Sequence, residues 1–260
     1  MASIVRTLRS VLRFRRLETD PVERRLSCAA NVSDLRRIAR GRLPRGVFDY
    51  VDGAAEDELT AARNTAAYRN VEFRPRVLRD VDKIDTSTTL LGQPLAFPLV
   101  LAPTGFTRMV DPEGELAVAR AAARAGLPYT LSTMSTRSIE EVAAVLDSRK
   151  WFQVYVWRDR GLVKDMLDRA ATAGYEAIVI TVDVPVLGRR ERDIRRGFTL
   201  PPKMGLDTIV DGALHLAWTW NFVRAEPITF PNVTRSSDAD GADAVSLADF
   251  VDAQFDAGLS

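Results

Sequence analysis

Four apolar runs, beginning near residues 98, 128, 151 and 176, alternate with alanine-rich stretches of helical periodicity, and this alternation constrains the fold more than any other feature. PLVLAP is apolar throughout, as a parallel strand buried on both faces requires. EGELAVARAAARAG follows it as a helix closed by Gly126. PYTLS then leads into RSIEEVAAVLD, WFQVYV leads into DRGLVKDMLDRAATAG, and EAIVITVDV forms a fourth strand. Strand and helix repeating at this pitch predict successive βαβ units in a parallel sheet. The pitch approaches the ~31 residues per unit of a (β/α)8 barrel, which shares ~250 residues among eight units.

Only about four such units can be read along the chain. An open four-stranded parallel sheet would expose an apolar edge and one inner face, so the expected fold class is α/β, an incomplete (β/α)8 TIM barrel. A helical segment and a short hairpin precede it. Ser33 is the expected N-cap of SDLRRIARGRL, PRGVFDYVDG should form a second helix stopped near Gly53, and AEDELTAARNTAAYRN a third. TSTTLLG and PLAFP flank a turn at Gly92, Gln93 and Pro94 and read as the hairpin. The expected organisation is a basic N-terminal arm over 1–32, the helical prelude and hairpin over 33–97, the first barrel half over 98–192, and a long, truncated, weakly packed loop excursion over 193–260. Loops of that length are uncommon inside compact domains.

Composition removes several function classes. With 36 basic against 35 acidic residues the net charge is +1, and phosphate-binding proteins need a basic excess or stripe, so no nucleic-acid partner is expected. A single cysteine, Cys28, and a single histidine, His215, exclude a disulfide framework and leave no donor set for a metal site. No apolar stretch approaches the ~18 residues of a spanning helix. The first seventeen residues carry five arginines and no acid. They read first as a solvated arm and second as an organelle transit peptide or a basic helix on a membrane surface. Trp218, Trp220 and Phe222 likewise read first as a patch that packs on the absent barrel half, and second as a membrane-interface contact. The expected location is cytoplasmic, with peripheral membrane association as the variant of that reading.

Ligands of parallel α/β folds bind at the carboxyl ends of the strands. Pro103, Thr104 and Gly105 end the first run, Ser132 ends the second, Gln153 and Tyr155 share one face of the third, and Thr181 and Asp183 share one face of the fourth. Four consecutive strand ends therefore supply amide, phenol, hydroxyl and carboxylate groups toward one mouth. No GxGxxG, GxxxxGK[ST] or HExxH motif is present. Hydrogen-bonding groups without metal or nucleophile suit an organic cofactor that carries the reaction itself.

The segments FDYVDGAAEDE, FRPRVLRDV, STTLLGQPLAFPLVLAPTGF, PEGELAVARAAARAG, LSTMST, WFQVYV and ITVDVPVLGRRERDIRRGF resemble the FMN-dependent L-2-hydroxy-acid dehydrogenases and oxidases, the group of the flavin lactate dehydrogenases and glycolate oxidase. The resemblance runs from about Ser33 to Pro202 in order and spacing. It implies a barrel with FMN at its carboxyl end and a small-molecule 2-hydroxy acid that leaves as the 2-oxo acid. It also implies a homo-oligomer for a full-length member.

By the same resemblance, Pro103, Thr104 and Gly105 contact the isoalloxazine ring, and Ser132, Gln153 and Thr181 hydrogen-bond its polar edge. Tyr50 and Tyr155 line the substrate site, Arg190 holds a mobile position near the substrate, and Asp183 orients a catalytic histidine. That histidine, the carboxylate-clamping arginine, the lysine facing the flavin and the phosphate-gripping loops belong to the second half of such a barrel and are absent here. His215 matches none of the family's catalytic motifs, and Asp111 stands where many relatives have histidine. The chain alone is therefore expected to be inactive, as the amino-terminal portion of such an enzyme. The rival reading is a non-catalytic remnant that acts as a binding or assembly module.

Overall fold

The computed structural model describes residues 18–183, 188–196, 205–233, 253–256 and 258, and the chain divides into two compact units, Met1–Arg42 and Leu43–Ser260. In the first unit, α1 (Pro21–Leu26) opens on Pro21 and is capped by Asp20, whose carboxylate accepts the Val22 N–H at 2.6 Å. The second helix, α2, spans Val32–Arg42. Its cap is Asn31 and not Ser33: Asn31 Oδ1 accepts the Asp34 N–H at 3.0 Å, while the Asp34 carboxylate accepts the Ala30 N–H at 2.8 Å. This reciprocal pair starts the helix one residue before Ser33, which falls inside the first turn.

In the second unit, α3 (Arg45–Asp52) and α4 (Leu59–Ala67) precede the hairpin of β1 (Thr88–Leu90) and β2 (Gln93–Leu95). Leu90 pairs with Gln93, so the turn is Leu91-Gly92, and both residues have positive φ, 51° and 74°. That is the geometry whose twist matches the flanking strands, with glycine at the second position.

Next come α5 (Glu115–Ala125), β3 (Tyr129–Leu131), α6 (Ile139–Val145), β4 (Lys150–Tyr155), α7 (Arg160–Thr172) and β5 (Ala177–Thr181). The strands form a parallel sheet in the order β3-β4-β5. The first apolar run contributes no full strand. It adds one bridge, Leu101 to Tyr129, through Leu101 N–H to the Pro128 carbonyl and Thr130 N–H to the Leu101 carbonyl, both at 3.0 Å. Pro98 and Pro103 bracket that run and cannot donate to a ladder, which keeps the pairing short. Each segment pairs with the next in sequence, as in a barrel wall, whereas a doubly wound sheet reverses its order. Among the described residues the sheet does not close.

The core lies between sheet and helices. Leu131, Phe152 and Val154 meet Ala119, Ala122, Ile139, Val142, Leu162 and Met166, all buried. Alanines on α5 let that helix approach closely, and α6 is set by a capping box in which Ser138 Oγ accepts the Glu141 N–H and Glu141 accepts the Ser138 N–H. On β5, by contrast, Ile178 and Ile180 are 43% and 57% exposed on the face that the helices cover elsewhere.

Residues 193–260 depart from the expected loop. They contribute to α8 (Glu191–Arg195) and contain α9 (Leu206–Leu214) and α10 (Leu216–Arg224). Nor is the stretch weakly packed throughout, because Phe230, Asn232 and Val233 are buried. Asn232 Oδ1 accepts the Ile139 N–H at 3.0 Å, and its amide donates to Ser135 Oγ at 2.7 Å and to the Arg137 carbonyl at 3.1 Å. Arg108 donates to the Glu226 and Pro227 carbonyls at 2.6 and 3.1 Å. Long-range polar bonds of this kind leave no periodic signal in a sequence. The run RSSDADGADAVS lies outside the described residues.

Candidate functional site

Parallel register sets which side chains share the mouth. Tyr155 pairs with Thr181 and Gln153 with Val179, so Gln153, Tyr155 and Thr181 lie on the sheet face opposite Phe152 and Val154. Gln153 is buried and is the hub of a polar row. Its Oε1 accepts Ser132 Oγ–H at 3.2 Å and the Thr133 N–H at 3.1 Å, and its amide donates to Thr181 Oγ1 at 2.7 Å. The row is neutral and carries both donors and acceptors.

At the end of the first run, Pro103 and Thr104 are exposed and Gly105 is half-buried. A Cβ on Gly105 would meet the Met134 Cβ at 2.9 Å and the Met134 carbonyl at 3.0 Å, so only glycine lets this loop lie against the loop after β3. The Phe106 N–H donates to that Met134 carbonyl at 3.0 Å, holding the two loops together.

Tyr155 and Tyr50 approach the mouth from different elements. Tyr155 stacks on Trp157 with ring centroids 6.4 Å apart and meets Phe255 edge-on at 5.7 Å. Burial raises its phenol pKa, with the nearby Asp183 charge acting in the same sense. Tyr50, at the end of α3, meets Phe106 edge-on at 5.8 Å. Burial raises its pKa, opposed by the Arg190 guanidinium, which lies 5.0 Å from the ring centroid. Both phenols therefore stay protonated at neutral pH and can donate.

Arg190 caps α8, donates from Nε to Asp193 at 2.6 Å and also bonds the Tyr50 carbonyl. The next turn of α8 is bolted to α3 and the turn after it, because Arg192 pairs with Asp52 at 3.0 Å and with Glu58. Asp183 is exposed at the end of β5. His215 sits between α9 and α10, its Nδ1 2.7 Å from the Asp211 carbonyl.

Tyr50, Tyr155, Asp183 and Arg190 thus gather at the end of the sheet that carries Ser132, Gln153 and Thr181. Sequence reasoning missed Thr133, whose Oγ1 donates to the Gln153 carbonyl at 2.7 Å and accepts the Tyr155 N–H at 3.3 Å, tying β4 to the loop after β3. It also missed Asp193, the partner of Arg190. The first had a signal in LSTMST, where two hydroxyls follow one strand, and the second in the i, i+3 spacing of Arg190 and Asp193. Among the described residues no cluster of His, Cys, Asp and Glu could hold a metal ion.

Known proteins are similar to this chain in sequence and in fold. The chain is 47% identical over 232 residues to a Mycobacterium tuberculosis protein assigned as an L-lactate dehydrogenase, covering 89% of this chain and 56% of the relative. It is 47% identical over 176 residues to glycolate oxidase of Spinacia oleracea, covering 68% and 48%. Among solved structures, (S)-mandelate dehydrogenase, described as a monotopic membrane protein, superposes with a TM-score of 0.83 at 36% identity over 90% of this chain and 61% of that one. The chain spans about half the length of the curated relatives it matches. The profile of the FMN-dependent dehydrogenases matches residues 39–260, and the chain belongs to that family.

Proposed function

We propose that these residues form the flavin edge and substrate mouth of an enzyme that oxidises an L-2-hydroxy acid to the 2-oxo acid. The observation that carries the reading is the neutral row Ser132–Gln153–Thr181, buried at Ser132 and Gln153. The polar edge of an isoalloxazine alternates acceptors with one N–H, and a row able both to donate and to accept matches it without charge. Pro103 and Thr104, exposed at the end of the first run, leave backbone open for the approach of a flat ring. Bound FMN would supply the acceptor for the hydride leaving the substrate carbon.

The protein's own groups would do the rest. Tyr155 and Tyr50, protonated at neutral pH, would donate to the substrate carboxylate or hydroxyl and hold its hydrogen-bearing carbon toward the ring. Arg190, held by Asp193, would add positive charge beside Tyr50. Asp183 would orient and charge-pair a general base. His215 sits at the junction of α9 and α10 beside Asp211, in a segment that matches none of the family's catalytic motifs, and is proposed not to be that base. The 260-residue chain alone is therefore proposed not to turn over. The lost general-base term alone is worth ~100 to 10,000-fold. A peripheral membrane contact is proposed with it, in line with the monotopic relative. An assembly role without turnover is the second reading, favoured by the exposed Ile178 and Ile180 on the open strand.

The test is anaerobic. The purified chain is titrated with FMN, following flavin fluorescence, and glycolate, L-lactate and (S)-mandelate are then added at saturating FMN. Expected are flavin quenching that Gln153→Leu weakens, a shift of the bound-flavin spectrum by 2-oxo acids that Tyr155→Phe removes, and no substrate-dependent bleaching. FMN binding indifferent to Gln153→Leu would overturn the flavin assignment, and rapid bleaching would overturn the proposed inactivity.

A further inference from the structure

Helix α8 is too short to hold itself in place. It has five residues, and isolated helices become stable only beyond ~12–15. Nor does it dock by an apolar stripe, because the residue it buries is Asp193, while Ile194 is 56% exposed. Charge holds it instead. Arg192 donates from Nη1 to Asp52 Oδ2 at 3.0 Å, at the end of α3, and from Nη2 to Glu58, which immediately precedes α4. Asp49 lies 3.8 Å from the same guanidinium and accepts from Arg196 Nε at 3.3 Å. The Ala54 N–H first, and Arg192 after it, hold the Glu58 carboxyl below its ordinary range, so Glu58 is charged at neutral pH.

Both ends of this clamp carry a group of the mouth. On one side Tyr50 lies two residues before Asp52, and on the other Arg190 lies two residues before Arg192. Two residues are about 200° apart around a helix, so Asp52 and Tyr50 project to different sides of α3 and the clamp leaves the phenol free. The Arg190 guanidinium lies 5.0 Å from the Tyr50 ring centroid and bonds the Tyr50 carbonyl. Backbone repeats the tie. The Glu56 N–H donates to the Arg189 carbonyl at 2.8 Å, and a Cβ on Gly188 would meet that of Ala55 at 2.8 Å, so the two segments lie in close contact.

We propose that Arg192 is a positioning residue of the substrate mouth: by bridging Asp52 and Glu58 it sets how Arg190 faces Tyr50, and thereby how tightly the mouth holds the carboxylate of a 2-hydroxy or 2-oxo acid. The inference rests on the mouth proposed above. The Arg192 guanidinium is engaged by carboxylates, so its effect on a bound anion passes through Arg190 and Tyr50. A planar fork places two nitrogens on two carboxylates from different elements, which the single nitrogen of a lysine cannot reproduce. Without it, Asp49, Asp52 and Glu58 would repel one another and α8 would lose its main tie to α3.

The test loads the 260-residue chain with FMN and titrates the bound-flavin spectrum with pyruvate and with phenylglyoxylate. Arg192→Ala should raise the dissociation constant of both anions about 5- to 10-fold and Arg192→Lys by less, with FMN affinity unchanged in both. That split separates positioning from a merely structural role, in which FMN affinity would fall together with anion affinity and the proposal would be overturned. Anion binding as tight in Arg192→Ala as in the wild type would also overturn it. In the flavin-free protein the Glu56 amide should exchange with solvent faster in Arg192→Ala, while the amides of β4 exchange as in the wild type. Unchanged Glu56 exchange would mean that Arg192 clamps nothing. If Arg192→Ala does not fold, Arg192→Lys decides, and wild-type anion affinity in that variant refutes the two-pronged bridge. FMN that fails to bind the wild type, or binds without responding to the anions, overturns the reading of the mouth together with this proposal, whereas an equal response in all three proteins overturns this proposal alone.

Discussion

The side-chain amide of Gln153 on β4 donates to Oγ1 of Thr181 on β5 at 2.7 Å, reaching diagonally past its register partner Val179 to the second residue beyond it. Through its other end Gln153 also accepts from Ser132 and Thr133, so one buried amide joins three consecutive strand ends. Satisfied networks in a low-dielectric site hold their members in a single arrangement.

Gln153→Leu leaves the Thr133 N–H and two hydroxyls without their partner. Each buried group stripped of its bond costs about 1–3 kcal/mol, so thermal denaturation should show a loss of that order. A denaturation midpoint equal to wild type would mean that the row is wet and contributes little.

Tyr155→Phe removes a phenol while keeping its stacking on Trp157. In a chain extended to the length of its relatives, flavin reduction should slow by up to ~100-fold, the rate equivalent of one hydrogen bond worth about 1–3 kcal/mol, with FMN affinity little changed. Burial and the Asp183 charge both raise this phenol's pKa, so no loss of rate from Tyr155 ionisation should appear between pH 6 and ~9, below the ordinary phenol range. Stopped-flow reduction across pH checks both statements.

Asn232→Ala should destabilise the second unit by at least about 1–3 kcal/mol, since it strips the Ile139 N–H, Ser135 and Arg137 of a fully buried partner. Hydrogen exchange offers an independent check. The amide of Val233 should exchange slowly in the wild type and fast in the variant.

Glu140 and Arg169 form a two-pronged pair, at 2.8 and 2.9 Å. Chiefly through the Arg169 hydrogen bond, the Glu140 pKa falls from its ordinary 4.5 to about 2. Because the folded value is depressed, the pair stabilises fully above the unfolded value and its contribution fades as pH falls from about 4.5 toward about 2. The glutamate is half-exposed, so screening limits the effect to less than about 1 kcal/mol. Melting temperatures measured between pH 6 and pH 2 should drop more for wild type than for Glu140→Gln, and parallel curves would count against it.

The alternation of apolar run and alanine-rich helix located α5, α6 and α7 and strands β3 to β5 within a few residues, because burial between sheet and helix leaves a periodic trace. The parallel-strand rule also placed Ser132, Gln153, Tyr155 and Thr181 on one mouth, since register in a parallel sheet carries alternation from strand to strand. The segment around Leu101 has the apolar content of a strand, yet Pro98 and Pro103 limit it to one bridge.

The sequence by itself determined the βαβ order, the hairpin at Gly92 and the polar residues that line the strand ends, all consequences of local periodicity and turn chemistry. Tertiary structure alone decided that residues 206–224 are helical with their apolar faces outward and that Asn232 reaches back to Ile139. These features rest on single hydrogen bonds between groups far apart in the chain, such as Trp218 to Met109 and Arg45 to Asp211. Such bonds depend on where the backbone lies in space, and no pattern of neighbouring residues encodes them.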